Sequence, residues 1–516
     1  MAASTPTMRR IPSDVRTTAV LLFLGLTACY LALSPGAIRG QGYTFEEIDS
    51  GSSFLGAVEA WASGAPVPKP VLSRHGPLPV LFDLPFIAIG RKFASPDFWV
   101  SMQPILLTAA MVAVLFLWLR KLTSPAMSLL LALAAAFGTM LWPYAYIGLE
   151  TKQSFFLFLA GYLGLSGGPI TRWPRLVMFA VSCGLAIGLK SNGALIAPAV
   201  AFLVLTQFRR DWHTRIGKAF TVLAVVAALG LAGAWGRGLY WAPRGGSLKP
   251  LVGLLISSPF ELFINAVGIW GSPMKGLFIF APLLIAGLIA VPKAFRTDRD
   301  TTIFALTITG ATMAFLCFLK SPADEVWGSR YMHVVIAPTV LCIGAGWSRG
   351  QFRHYFAIAV LALVGAPIAF LGSFYHYGNV TEATRATGQN TLEWITGDRV
   401  WSGVTFNART FGVWLEGGTT PVPWTPKHVW VWTPPPGERP PTTIDLRDYS
   451  TPQSFLARTW RSPVAGSSLV ILRLLQLALL LGPLLLLGVF LRTLKESRAL
   501  SSGRRPPEST SPGDRR

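Results

Sequence analysis

The sequence predicts an all-α polytopic membrane protein with about twelve helices crossing the bilayer. Three observations carry this. Of 516 residues, 52% are hydrophobic and 13% are charged, where a soluble domain carries about 25% charged residues. Mean hydropathy is +0.48. Apolar runs long enough to span a bilayer recur from one end of the chain to the other, and Lys and Arg gather in alternate connections between them.

The net charge of +21 does not point to nucleic acid. A nucleic-acid footprint is a continuous basic face or stripe, and here the basic residues sit in short loops and tails between apolar runs. Spans are expected near residues 17–34, 98–119, 125–142, 153–168, 174–189, 193–208, 218–236, 276–292, 302–319, 331–347, 355–374 and 467–491. The stretch 174–208 reads either as a tight pair or as one broken helix. The first run follows Arg9, Arg10 and Arg16 without a small-residue cleavage site after Leu33, so it reads as an uncleaved helix.

With the N-terminus inside, the inner connections carry Arg120 and Lys121, Arg172 and Arg175, Arg209 and Arg210, Lys293 and Arg296, Arg349 and Arg353, and then Arg492 and Lys495. That register needs an even number of spans and places both termini in the cytoplasm. The expected organisation is a transmembrane unit over 1–374 with a first outer loop at 35–97, then a Trp- and Pro-rich outer segment at 375–466. A last span at 467–491 follows, and a Ser/Pro/Arg-rich cytoplasmic tail at 492–516 with the composition of a disordered segment. The four cysteines, Cys29, Cys183, Cys317 and Cys342, all lie in apolar runs and give no disulfide framework or metal motif. Asn379-Val-Thr381 is a glycosylation acceptor pattern, meaningful only in a host that glycosylates such sites.

Chemistry-capable residues concentrate on the expected outer side. The first outer loop holds Glu46, Glu47, Asp49, Arg74 and His75. From Ile48 on, apolar residues at helical spacing predict a short amphipathic helix lying on the membrane surface, with Asp49 in its first turn. A helix-start acid is the plainer account of Asp49. Glu150 falls at a membrane boundary, where a charge is costly and is either functional or a snorkelling helix-end acid. Lys190 and Arg330 border the same side, where cations are disfavoured. They read as anion binders or as interface anchors. Lys275 closes a further outer loop at 237–275. Carboxylates can accept a proton from an attacking group, cations can stabilise a departing phosphate, and apolar walls can hold a lipid tail. The set suits group transfer from a lipid phosphate, and it predicts that Asp49 lies within about 10 Å of Glu150, a separation at which two acids share a site.

Several segments, in order, resemble the GT-C glycosyltransferase superfamily, in particular bacterial relatives of the protein O-mannosyltransferases and the lipid A aminoarabinose transferases. They are DSGSSFLGAVEAWASG (Asp49–Gly64), SRHGPLPVLFDLPFIAIG (Ser73–Gly90), GTMLWPYAYIGLETKQSFFLFLAGYL (Gly138–Leu163), GLKSNGALIAPAVAFLV (Gly188–Val204), WGSPMKGLFIFAPLLI (Trp270–Ile285) and VWGSRYMHVVIAP (Val326–Pro338), the last for Arg330-Tyr331 entering a helix. The resemblance covers about residues 15–350 and does not extend to the last third.

The resemblance implies a GT-C-like fold and an inverting transferase. It would use a polyprenyl-phosphate sugar at the outer face of a bacterial inner membrane, with an acceptor that is a lipid, a glycan or a protein. It puts Asp49 forward as the base or acceptor-activating acid and Glu150 as its catalytic companion. Glu46, Glu47, Arg74, His75, Lys190, Lys275, Arg330 and Tyr331 would be substrate contacts. Relatives often have Asp-Glu where this chain has Asp49-Ser50, which leaves Glu46-Glu47 as the alternative for that part, and Lys where it has Arg74-His75. Some members use a divalent metal; no complete ligand set is readable here. The competing readings are an O-antigen-ligase-like enzyme dependent on outer Arg and His, a transporter, and a non-catalytic assembly subunit. Transporter sites lie near the bilayer midplane, whereas the charges here keep to one edge.

Overall fold

Runs of Leu, Ala, Val and Phe without water-facing alternation leave the backbone one way to satisfy its amides inside hydrocarbon, which is the helix. The computed structural model is accordingly helical. It describes residues 13–33, 63–66, 78–92, 96–146, 148–166, 170, 172–190, 193–208, 212–241, 259–272, 276–318, 330–348, 350–375, 403–417, 422–424, 444–449 and 467–501.

In chain order the helices are α1 (Ser13–Ala32), α2 (Leu78–Lys92), α3 (Pro96–Leu122), α4 (Pro125–Phe137), α5 (Leu141–Tyr144), α6 (Gly148–Leu165), α7 (Trp173–Gly188), α8 (Gly193–Phe208) and α9 (Trp212–Trp241). Then follow α10 (Pro259–Gly271), α11 (Leu277–Phe280), α12 (Leu283–Thr297), α13 (Arg299–Phe318), α14 (His333–Gly346), α15 (Phe352–Phe374), α16 (Gly403–Leu415) and α17 (Ser467–Ser501). A single 3-10 turn, Arg330–Met332, leads into α14. The described residues hold one antiparallel ribbon, Pro423–Trp424 against Ile444–Asp445.

Among the described residues, five helical segments have the length and apolarity to cross a membrane: Asp14–Ala32, Met102–Leu122, Arg299–Phe318, Phe352–Phe374 and Leu472–Ser497. Five shorter apolar helices stand among them. Large apolar side chains face outward, including Leu480, Leu484 and Leu491 of α17 and Leu363 of α15, while polar groups pair inside. This is the inverted arrangement of a polytopic membrane protein. Prolines inside α3, α8, α12, α14, α15 and α17 fit the same setting, where neighbouring helices re-satisfy the amides that proline frees.

The structure departs from the sequence expectation at definite places. The span expected at 125–142 stops at Phe137, because Gly138 is pressed against α15. A Cβ built on Gly365 would lie 2.1 Å from the Gly138 carbonyl oxygen, so the two backbones meet where side chains would keep them apart. The span expected at 276–292 divides around Ala281 and Pro282 into α11 and α12. The 174–208 stretch is a pair, α7 and α8. Helices α2, α10 and α16 arise in segments the sequence reading left as outer loops.

Hydrogen bonds and ion pairs sort the helix ends onto two faces. On one, Arg492 pairs with Asp14 at 2.8 Å and Arg120 with Glu496 at 3.3 Å. Lys121 donates to the Ser166 carbonyl, and Arg175 to that of Leu163 at 2.6 Å. Thr123 donates to the Ser348 carbonyl at 3.2 Å, and the Ser124 hydroxyl meets that of Tyr355 at 2.9 Å. On the opposite face, Tyr146 donates to the Tyr30 carbonyl at 2.8 Å. Helices α6, α7 and α14 run between the two, so Glu150, Lys190 and Arg330 share the far end. Of the basic residues expected on one side of the membrane, Arg120, Lys121, Arg175 and Arg492 are thus on one end of the bundle, as are the described ends of α1 and α17.

Candidate functional site

Helix α6 opens with a run unusual for a helix this apolar: Glu150, Thr151, Lys152, Gln153 and Ser154, five consecutive polar residues, all buried. A helix turns only about 100° per residue, so such a run points around most of the circumference, and every side chain must find a partner inside the protein. Thr151 donates to the Tyr144 carbonyl at 2.7 Å and Gln153 to that of Ala186 at 3.1 Å. Ser154 and His333 Nδ1 are hydrogen-bonded at 2.8 Å.

Glu150 faces two cations. Lys190, just past the C-terminus of α7, donates to Glu150 Oε1. Arg330 Nε lies 3.7 Å from the same oxygen. The side chains are 3% exposed for Glu150 and Lys190 and 5% for Arg330, which rules out an acid snorkelling to water. Tyr331 forms a shared wall. Its ring lies 4.8 Å from Lys190 Nζ and 5.0 Å from the Arg330 guanidinium, and its hydroxyl accepts from Arg330 Nη2 at 3.3 Å. Cations over a desolvated aromatic face gain about 2 kcal/mol or more. Burying an ion costs several kcal/mol, which excellent geometry offsets. Here the offset is partial: Lys190 is hydrogen-bonded to Glu150 Oε1, whereas Arg330 Nε at 3.7 Å is an ion pair beyond hydrogen-bond distance.

Of the residues singled out from the sequence, the structure brings Glu150, Lys190, Arg330 and Tyr331 together from three separate parts of the chain. Asp49, Glu46, Glu47, Arg74, His75 and Lys275 lie outside the described residues, as do the 46–62 helix, the expected Asp49–Glu150 separation and the tail beyond 501. Sequence reasoning passed over Ser154, His333 and Tyr144, whose ring stacks on His333 at 4.9 Å. The five-residue polar run was the available signal for Ser154. For His333 the signal was its place one turn after Arg330. Glu150 Oε2 and His333 Nε2 are buried and take no hydrogen bond from the described residues. No group of three or more His, Cys, Asp or Glu side chains capable of holding a metal occurs among those residues.

Chemically, the arrangement offers a fixed pair of donors, one a planar fork and one a point charge, held by a carboxylate beside an aromatic wall. Such a pair fits the oxygens of a phosphate or carboxylate. No family model matches the chain, and no curated protein matches it in sequence. Among solved structures, the chain is similar to ArnT from Cupriavidus metallidurans in the apo state, with 15% identity over 93% of this chain and 78% of that one, at a TM-score of 0.44.

Proposed function

We propose that the protein is a membrane glycosyltransferase of GT-C type that moves a sugar from a polyprenyl-phosphate donor to an acceptor at the outer face of a bacterial inner membrane, with inversion. The observation that carries the reading is the convergence of Lys190 and Arg330 on Glu150 at one end of the bundle. Two cations fixed at the edge of an apolar assembly suit a phosphate whose lipid tail lies along the helices. In this reading Arg330 and Lys190 take the donor phosphate and stabilise the charge that develops as the sugar–phosphate bond breaks. Glu150 holds both cations in place, and Tyr331 keeps water from them. Asp49 accepts the proton of the attacking group. Glu46, Glu47, Arg74, His75 and Lys275 supply further substrate contacts in this reading.

The test is a comparison of lipid extracts from cells with and without the gene. Build-up of one polyprenyl-phosphate sugar in the deletion, reversed by the intact gene, is the expected result and names the donor. An unchanged lipid profile together with loss of transport of a solute would overturn the reading in favour of a transporter.

A further inference from the structure

Glu150 and Ser154 are four residues apart on α6, and Arg330 and His333 are three apart across the 3-10 turn into α14. Those spacings put each pair on one face of its helix. The two helices therefore meet through two parallel cross-links, an ionic one between Glu150 and Arg330 at 3.7 Å and a neutral one between Ser154 and His333 at 2.8 Å. The neutral link lies one turn deeper in the bundle. His333 is 1% exposed and Ser154 4%. The imidazole is further fixed by the Tyr144 ring at 4.9 Å, and Tyr144 is tied back to α6 by the Thr151 bond to its carbonyl. A histidine in this position is more than filler. An aliphatic side chain would pack as well against Tyr144 and would leave no buried ring nitrogens to satisfy.

We propose that His333, through Ser154, is the positioning residue for Arg330. The neutral link fixes the rotation and depth of α14 against α6, so that the guanidinium meets Glu150 and presents its remaining donors to the ligand. The proposal deepens the phosphate-donor reading and rests on it for the ligand, though not for the positioning itself. A guanidinium fork gains over a point charge only when its plane is set, so a small slip of α14 is felt at Arg330 before it is felt in the fold.

The experiment uses the full chain in detergent with undecaprenyl monophosphate as the probe. His333→Leu and Ser154→Ala are each expected to weaken probe binding about 5- to 10-fold, the size of one net buried hydrogen bond. His333→Asn, whose amide reaches the place of Nδ1, should stay within about twofold of the natural protein. In an Arg330→Gln background, His333→Leu should have no further effect on binding. A loss of equal size with and without Arg330, or no rescue by asparagine, would make His333 an ordinary core residue and overturn the proposal. If the natural protein does not bind the probe, the donor reading falls and positioning is read from melting temperatures. Non-additive shifts between His333→Leu and Arg330→Gln then sustain it, and additive shifts sink it.

Discussion

The two ends of the bundle use the same chemistry in opposite ways. At one end Arg492 pairs with Asp14 and Arg120 with Glu496, at 32% and 67% and at 16% and 22% side-chain exposure. At the other, Glu150 meets Lys190 and Arg330 at 5% or less. The first set is the wetter one, with Asp14 exposed and Arg120 and Glu496 half-buried, and it joins α1, α3 and α17. The Arg492–Asp14 pair resembles a surface salt bridge, worth about 0–1 kcal/mol. The second is dry, aromatic-walled and built from three distant stretches of chain. Replacing such a group by packed apolar residues is often neutral or stabilising, so its charges are poorly explained by stability alone. The contrast separates charges at partly exposed helix ends from charges that the fold buries together.

The sharpest way to break the comparison is to ask which end faces out. A cysteine at Glu416, exposed just past α16 at the Glu150 end, placed in a cysteine-free background, should react fully with an impermeant thiol reagent added to intact cells. One at exposed Arg299 should not react until the cells are opened. The reverse pattern would turn the protein over. Next in size is Asp49→Asn, which should lower transfer about 10²- to 10⁴-fold while expression is unchanged, since an amide keeps the shape but cannot accept a proton. Glu46→Gln and Glu47→Gln should be mild in the same assay. If one of these is dead and Asp49→Asn active, the acidic position in the first loop has been misassigned.

Stability measurements address the buried end directly. Glu150→Ala removes the anion that both cations face, and should lose about 3–5 kcal/mol in denaturant unfolding of the purified protein. A loss below about 1 kcal/mol would make the two ends equivalent. Arg330→Lys keeps the charge but loses the planar fork. It should weaken undecaprenyl monophosphate binding about tenfold, against little change in melting temperature. The smallest effect belongs to Asp14→Asn, where a loss within about 1 kcal/mol, fading as salt is raised, is expected. A large, salt-independent loss there would show that the wet end is tighter than its exposure implies.

Much of the architecture was legible because the bilayer imposes few choices. Run length located α1, α3, α13, α15 and α17, and the Lys and Arg pattern sorted their ends as the structure does. What failed was local. Gly138 reads as one small residue in an apolar run, and only the approach of Gly365 from α15 explains the break there. Helices α2, α10 and α16, of 15, 13 and 13 residues, were missed because they are shorter than the run of about 20 apolar residues that marks a span. At the site, border charges singled out Glu150, Lys190 and Arg330 one at a time, since a charge beside hydrocarbon is conspicuous. That they share one oxygen of Glu150 is a property of α6, α7 and α14 packing, which no periodicity reports. Ser154 and His333 stayed unseen because each takes its meaning from the partner opposite, which a linear sequence does not show.

The pairing of α1 with α17 carries a consequence for how the protein is made. The two lie against each other closely: a Cβ built on Gly25 would fall 2.9 Å from Leu486, and one built on Gly482 would fall 2.7 Å from Cys29 Sγ. Small residues let membrane helices approach in this way. Yet one is the first described helix to leave the ribosome and the other the last. Chains are laid down from the N-terminus at about 5–20 residues per second, so α1 waits in the lipid until α17 is made, with α3 as its main early neighbour. The α1–α17 seam closes only once α17 has been made, and a ribosome that stalls before residue 467 would leave a chain whose open flank invites quality-control proteases.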